Sequence, residues 1–374
     1  MPAFRLILSR RLWPLTLAQA GGALNDNLVK NAMLVLALFR LHVGGAGLSA
    51  LAGALFIVPY VLLSATAGKL ADRYPKPRLT LIYKLAECGL MAGAAAAFLT
   101  ASVPALLALL FGLGCQAALF GPVKYGVLPE YLHPEELIAG NGLIEATTFC
   151  AIVLGTVAGG GLILLPAGAA IVGVAGLALA AAGLAGAWLM PRLPAADASL
   201  RVGFNLLAET VAVLRASRRV PAIWSSVLCL SWFWTMGATV LTELPVLVRD
   251  QMRAEGSVLT LLLAVFAIGV GIGSLGCARL LHGRISTRLA PVAGAGISLF
   301  CWDFGGAHAA GLATVPAVLA SVQGWRMLAD LGLLAACGGV FSVPFYAVIQ
   351  DRSAPAERSR MVAANNIMNA LFMV

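Results

Sequence analysis

Apolar runs of about 18 residues or more recur along the whole chain, and they constrain its fold more than any other feature. The chain is 60% hydrophobic and 11% charged, whereas soluble domains carry about 25% charged residues. The runs have the length of helices that cross a bilayer, and they lack the short alternation of barrel strands. We therefore expect an all-α polytopic membrane protein.

Positive charge is concentrated on one side of the predicted topology. If the N-terminus is cytoplasmic, most of the 25 Lys and Arg residues fall in cytoplasmic segments. The outer segments then hold Arg40, Arg249, Arg253 and Arg326. Because cytoplasmic loops of membrane proteins are enriched in Lys and Arg, this asymmetry predicts a cytoplasmic N-terminus. It also accounts for the net charge of +9, so we expect no nucleic-acid partner.

A stretch at 120–161 recurs more weakly at 341–374. Phe120, Tyr125, Val127, Pro134 and Glu136 match Phe341, Tyr346, Val348, Pro355 and Glu357 at an offset of 221, and Ala139 and Asn141 match Ala363 and Asn365 at an offset of 224. A parallel repeat of this length indicates two pseudo-symmetric six-helix halves. We expect an N-terminal half at 1–190 and a C-terminal half at 221–374. By the same offset, we expect the second half to lack most of helix eleven and all of helix twelve, with about eleven helices begun.

The segment between the halves, 191–220, is the longest polar part of the chain. Its apolar residues Phe204, Leu207, Val211 and Leu214 follow a helical spacing. This pattern predicts a cytoplasmic linker whose helix, at about 203–216, lies on the membrane surface.

Helix one, predicted at 12–39, carries the polar run LNDNLVKNA at 24–32. Asp26 and Lys30 are four residues apart, so they share a helix face and are able to pair. Ionised groups at membrane depth are costly unless they face a cavity or a partner. The run, which also holds Asn25, is therefore either a structural pair or part of a binding site.

Further polar residues fall within other predicted membrane helices. Gly121-Pro122 predicts a break in helix four just before Lys124, and the loop after helix two is predicted at 68–78. The aromatic residues of helix seven are either an interfacial belt or a ligand lining. The candidate substrate-binding residues are Asn25, Asp26, Lys30, Lys124, Asn141, Glu145, Trp232, Trp234 and Glu243.

The motifs of common enzymes do not occur in the sequence. There is no arrangement of nucleophile, His and acid, no Gly-rich phosphate loop and no metal-ligand spacing. We therefore expect neither catalysis, nor a metal site, nor a cofactor.

The run GKLADRYPKPR at 68–78 resembles the signature loop of the major facilitator superfamily between its second and third helices. Gly68, Leu70, Asp72 and Arg73 match, and Pro75 stands where a glycine is common. The resemblance implies the fold of that superfamily. It also implies a conformational latch made of Gly68, Asp72, Arg73, Lys76 and Arg78.

Three further runs resemble the lysophospholipid transporter branch of that superfamily. They are LNDNLVKNA at 24–32, P-x-KYG-x-LPE at 122–130 and L-x-x-GNGLIEA-T at 137–147. The run SWFW-x-x-GA at 231–238 is similar to members that are fused to acyltransferase and acyl–carrier-protein synthetase domains.

This resemblance implies a transporter in the bacterial inner membrane that moves lysophospholipids from the outer to the inner leaflet for reacylation. Lysophosphatidylethanolamine is an example of such a substrate. The implied partners are membrane lipid and an acyltransferase or acyl–carrier-protein synthetase, either fused or separate. Two alternatives remain: a proton-coupled exporter of drugs or small amphiphiles, and a non-transporting platform for an acyltransferase.

Overall fold

The computed structural model describes residues 6–43, 46–203, 205–306 and 311–373. Helices dominate this part of the chain. The long ones are α1 (Trp13–Val35), α2 (Ala46–Arg73), α3 (Lys76–Leu99), α4 (Val103–Gly126), α5 (Leu137–Leu162), α6 (Gly168–Leu189), α7 (Leu206–Arg218), α8 (Pro221–Val246), α9 (Gly256–Leu280), α10 (Ala290–Gly306), α11 (Val322–Arg352) and α12 (Arg358–Met373). A π-helical turn extends α1 over Leu36–Arg40 and α8 over Leu247–Gln251.

Eight of the described helices are long and apolar enough to span a membrane. Each coincides with an apolar run of the sequence. The most apolar stretch of α5 is 78% buried, whereas that of α2 is 22% buried. Since lipid covers the exposed apolar surface, α5 lies at the centre of the bundle and α2 at its edge. The protein is a multi-pass membrane protein.

The helices form two sets that meet along two seams. In the first set, α1 packs on α5 and α6, α2 on α4, and α3 on α6. In the second set, α11 packs on α9 and α10, and α8 packs on α12. The sets meet where α5 contacts α9 and where α2 contacts α12.

Small residues allow the backbones to approach at these contacts. A Cβ atom on Gly155 or Gly159 of α5 would overlap the carbonyl oxygens of Leu24 and Leu28 in α1. At the seam between the sets, a Cβ atom on Gly142 would overlap the Ser274 carbonyl oxygen of α9.

The connection between α2 and α3 is shorter than predicted. The run from Gly68 to Arg73 is the last part of α2, and Lys76 opens α3, so the prediction of a loop at 68–78 was wrong. From Lys69 to Tyr74 no proline or glycine interrupts the helix, and Pro75 lies just before α3. Pro77 fits the first turn of α3, where a backbone N–H has no helical partner.

Helix α4 is continuous through Pro122, so the predicted break at Gly121-Pro122 was also wrong. Proline leaves one carbonyl unpaired, and membrane helices accommodate this when neighbouring helices surround the site. Here Pro122 is buried within the bundle.

The predicted linker helix is observed as α7. Lys69 of α2 forms an ion pair with Glu209 of α7, and Val213 packs on Ala65 and on α12. Leu207 of the same helix is 75% exposed. Phe204, which completes the amphipathic pattern, lies outside the described residues.

We use the term basic end for the end of the bundle that carries the connections at 74–75, 127–136 and 353–357. It is the end at which Arg73, Lys76 and Arg358 lie.

Candidate functional site: charged residues between the two helix sets

Three charged side chains from different helices face one another inside the bundle. Lys124 of α4 interacts electrostatically with Glu145 of α5 and with Asp26 of α1. Asp26 and Lys124 are partly accessible, while Glu145 is fully buried. Asp26 and Lys124 thus border an accessible space, which we call the cavity, and Glu145 lies buried beside them.

The direction of α4 explains how Lys124 reaches this depth. Lys124 lies in the last turn of α4, close to the basic end. Side chains of an α-helix point back toward its N-terminus. The long Lys124 side chain therefore extends from the basic end toward the middle of the membrane, with its ammonium 4.7 Å from the Tyr125 ring centre.

Hydrogen bonds from both helix sets hold the Glu145 carboxylate. The hydroxyl of Tyr125 in α4 donates to Oε2, and the hydroxyl of Ser342 in α11 donates to Oε1, each at 3.4 Å. Glu145 therefore contacts both helix sets.

Aromatic side chains surround this carboxylate. Tyr125 and Tyr346 stack with ring centres 4.3 Å apart and an interplanar angle of 4°. The indole Nε1 of Trp234 donates to the Tyr346 hydroxyl at 2.8 Å, and the Trp234 ring stacks on Phe149 at 5.6 Å. Trp234 thus lies beside the Glu145 cluster.

Trp232 lies on another face of α8. It contacts Phe341 edge to face at 5.4 Å and is 41% exposed. It borders a groove of about 500 Å³ that Cys229, Pro291 and Phe345 also line. The structure therefore places Trp232 apart from the Glu145 cluster.

Asn25 belongs to a buried network inside the first helix set. Its amide donates to Glu87 Oε1 at 3.1 Å and to the Gly176 carbonyl at 3.2 Å. Lys84 pairs with Glu87 at 2.6 Å, and Gln116 also donates to that carboxylate. This network fixes α1 against α3 and α4, and it places Asn25 away from the cavity.

Lys30 and Glu243 are not joined to the cluster by a close contact. Lys30 interacts electrostatically with Asp26, but among the described residues no ion pair within 4.0 Å joins them. The proposed Asp26–Lys30 pair is therefore not formed. Glu243 lies near the end of α8 and is exposed.

Asn141 takes part in a contact that closes the basic end. Its amide donates to Gln350 Oε1 at 2.6 Å, and the Gln350 amide donates back to Asn141 Oδ1 at 3.0 Å and to the Tyr125 carbonyl at 3.0 Å. All these groups are buried, so the two helix sets are joined here without solvent.

The predicted latch residues play different roles at the same end. Asp72 is fully buried, and it accepts hydrogen bonds from the Ser359 backbone N–H at 3.0 Å and from Arg360 Nε at 3.1 Å. The first N–H groups of a helix have no partner within the helix and attract negative charge. Asp72 of α2 therefore caps α12 across the seam, and Gly68 leaves room for the backbone of Arg360.

The cations of the latch lie within the first helix set. Lys76 pairs with Glu130 at 2.5 Å, Arg73 lies 5.3 Å from the Tyr74 ring centre, and Arg78 is exposed. Arg11 adds an ion pair with Glu136 at 3.1 Å. These contacts shape the connections, while Asp72 makes the contact between the sets.

Sequence reasoning missed Gln350, Ser342 and the role of Tyr346. The repeat contained one signal, because it matched Tyr346 to Tyr125. In the described part of the chain, no three His, Cys, Asp or Glu side chains come close enough to hold a metal ion.

The family model described as Major Facilitator Superfamily matches residues 15–374. The chain belongs to this superfamily. A lysophospholipid transporter, LplT, of Serratia proteamaculans (strain 568) is 30% identical over 361 residues, which are 94% of this chain and 83% of the relative. LplT of Yersinia pestis (strain Pestoides F) is 30% identical over 92% of this chain and 80% of the relative. The chain thus falls in the LplT branch of the superfamily, and it is a transporter.

Solved structures confirm the superfamily fold. The human organic anion transporter MFSD10 has a TM-score of 0.71 at 16% identity, over 96% of this chain and 91% of that one. A bacterial homologue of the iron transporter ferroportin, in its outward-facing state, has a TM-score of 0.69 at 17% identity, over 97% of this chain and 89% of that one.

Proposed function

We propose that this transporter moves lysophospholipids from the outer to the inner leaflet of a bacterial inner membrane by alternating access. The observation that carries the proposal is the cluster of Asp26, Lys124 and Glu145 at the cavity, in a chain similar to transporters named for lysophospholipids. Charged residues inside the membrane mark the path of a polar substrate.

A zwitterionic headgroup matches the charges of the cavity. Lys124 supplies a point charge for a phosphate, and among the described residues no ion pair within 4.0 Å occupies its ammonium. Asp26 provides the complementary charge for an ammonium group. In lysophosphatidylethanolamine the two charges are separated by a short linker, so one headgroup reaches groups on both sides of the cavity.

The acyl chain requires an apolar path beside the headgroup site. The aromatic rings of Phe149 and Trp234 supply such a surface at the seams between the helix sets. We propose that the chain remains in contact with membrane lipid through these seams while the headgroup crosses, which gives a laterally open amphipathic cavity.

The closed end of the bundle indicates the direction from which substrate enters in this state. The Asn141–Gln350 pair and the Asp72 cap close the basic end. The excess of positive charge supports a cytoplasmic position for that end and for the N-terminus. We propose that this conformation accepts substrate from the outer leaflet, and that the halves divide at the linker 191–220.

Delivery to the inner leaflet supplies the substrate of a reacylation reaction. We propose that an acyltransferase or acyl–carrier-protein synthetase, fused or separate, uses the lipid there. Such a partner acts after transport, and the chain described here needs no catalytic group of its own for that step.

The test is uptake of labelled lysophosphatidylethanolamine by spheroplasts of a host that lacks its own transporter. Asp26→Asn and Lys124→Ala should each reduce uptake by at least about tenfold, because each removes a charge that pairs with the headgroup. The matched controls, Asp250→Asn and Arg288→Ala, remove exposed charges far from the cavity and should leave uptake unchanged.

Three results would redirect the assignment. Absence of uptake by the wild-type protein would refute the proposal. Uptake that disappears with the proton gradient, together with export of unrelated amphiphiles, would favour the proton-coupled exporter. Full function in both cavity variants would favour the non-transporting platform.

A further inference from the structure

Helix α12 presents three asparagines to the interior of the bundle. Asn365, Asn366 and Asn369 lie within an arc of about 100°, because an α-helix turns about 100° per residue. Asn365 reaches the Tyr346 hydroxyl of α11, Asn366 contacts Gly121 of α4, and Asn369 accepts the Ser231 hydroxyl of α8 at 2.9 Å. We call these three residues the asparagine patch.

The asparagine patch has unused hydrogen-bonding capacity. Asn365 is fully buried, and within the described chain its amide atoms have no partner other than the Tyr346 hydroxyl. The amide nitrogen of Asn366 is also buried without a partner there. Buried polar groups in native proteins are nearly always paired, so unpaired amides clustered on one face require an explanation.

The patch adjoins the charged cavity. The Tyr346 hydroxyl that Asn365 approaches also accepts the indole N–H of Trp234, and the Tyr346 ring stacks on Tyr125. Gly121, which faces Asn366, precedes Lys124 by three residues and so shares its helix face. The patch therefore lies next to the cation proposed to bind the phosphate.

The internal repeat supports the same location. The offset of 224 that relates Asn141 to Asn365 also relates Glu145 to Asn369. The two residues occupy equivalent places on α5 and α12. The first half thus has a carboxylate where the second half has a neutral amide.

We propose that the asparagine patch binds the free glycerol hydroxyl of a monoacyl glycerophospholipid and thereby discriminates against diacyl lipids. This inference rests on the proposed function. An amide both donates and accepts, as a hydroxyl does, and this hydroxyl lies close to the phosphate ester along the glycerol. An ester at the same position has no donor, and its acyl chain would cover buried amides and leave them unpaired.

The experiment compares two lipids in proteoliposomes that contain the purified transporter. One is a labelled 1-acyl-lysophosphatidylethanolamine, and the other is its analogue with propane-1,3-diol in place of glycerol, which lacks the hydroxyl. The wild-type protein should take up the lyso lipid at least about tenfold faster, since sites built to bind a hydroxyl reject analogues that lack it.

Asn365→Leu, a change of similar side-chain volume, should lower uptake of the lyso lipid to the rate of the analogue and leave uptake of the analogue unchanged. Retained uptake of the analogue shows that the variant is folded. Asn369→Leu should likewise lower the ratio of lyso lipid uptake to analogue uptake. Asn31→Leu removes an amide from α1, in the other helix set, and should preserve the wild-type ratio.

The outcomes separate the inference from the proposed function. Equal uptake of both lipids by the wild-type protein overturns the inference alone. A wild-type ratio preserved in both Asn365→Leu and Asn369→Leu overturns the assignment to this patch. No uptake of either lipid overturns the proposed function, and the inference with it.

Discussion

The contact between Asp72 and α12 predicts a measurable opening of the basic end when it is removed. Asp72 accepts hydrogen bonds from the Ser359 N–H and from Arg360, and its carboxylate is fully buried. A hydrogen bond to a charged group contributes about 1.5–3 kcal/mol. Water partly replaces these two bonds when the seam opens. We therefore expect Asp72→Ala to destabilise the closed state relative to the open state by about 3 kcal/mol compared with the wild-type carboxylate.

A change of about 3 kcal/mol shifts the ratio of open to closed protein by about 100-fold. Hydrogen exchange followed by mass spectrometry measures this shift directly, because the Ser359 amide is the donor to Asp72. Local opening sets the exchange rate of such an amide. Amides at the start of α12 should therefore exchange about 100-fold faster in Asp72→Ala, while those of α6 keep their wild-type rates.

Asp351→Ala is the matched control. Asp351 is an exposed carboxylate at the end of α11, close to the same connection, and pairs with Arg352 at 3.6 Å. It should leave the exchange of α12 unchanged. If both variants gave the same exchange rates as the wild-type protein, the conclusion that Asp72 holds the two helix sets together would be wrong.

Three further substitutions test the packing and the closure. Glu87→Gln leaves the buried Lys84 ammonium without its carboxylate and should destabilise the protein by about 3–5 kcal/mol, seen as a lower melting temperature in detergent; the double variant with Lys84→Met should recover part of the loss. Gly142→Ala places a methyl group against the α9 backbone and should weaken the closed state in cross-linking across that seam, whereas Gly161→Ala, with open space around it, should have no effect. Gln350→Leu leaves the buried side-chain amide of Asn141 unpaired and should accelerate amide hydrogen exchange at the basic end by about 5- to 100-fold. Unchanged hydrogen exchange would contradict the role of the Asn141–Gln350 pair.

The helices were predictable because long apolar runs with polar or proline-rich ends define them. Helix one was predicted at 12–39 and is observed as α1, Trp13–Val35, with a π-helical turn over Leu36–Arg40. The errors fell where local signals conflict with context. Pro122 breaks helices in water, yet the surrounding bundle keeps α4 continuous.

The site was predictable in residue type but not in orientation. Asn25 and Asp26 are adjacent, so their side chains differ by about 100° around α1. The packing of α1 on α3 then decides which of them meets Glu87. Trp232 and Trp234 also point in different directions from α8, and the packing of that helix decides which of them lies beside Glu145. Sequence alone does not fix the rotation of a helix whose residues are mostly apolar all round.

The partners of Glu145 and Asn141 could not be found by local reasoning. Ser342 and Gln350 lie 197 and 209 residues away along the chain, and their contacts depend on how the two helix sets dock. The Lys84–Glu87 pair, by contrast, joins residues three apart on one helix, so both share a face however the helix sets dock.

The stacked tyrosines have a consequence for how this chain tolerates mutation. Tyr125 and Tyr346 are repeat mates, and each packs on the other. This is the arrangement of an isologous interface, in which a residue near the two-fold axis of a homodimer meets its own copy. In a homodimer, one codon would alter both sides of such a contact at once. Here the two sides are encoded separately, so each tyrosine is free to change alone, and a damaging change in one should be most readily suppressed by a second change at its mate.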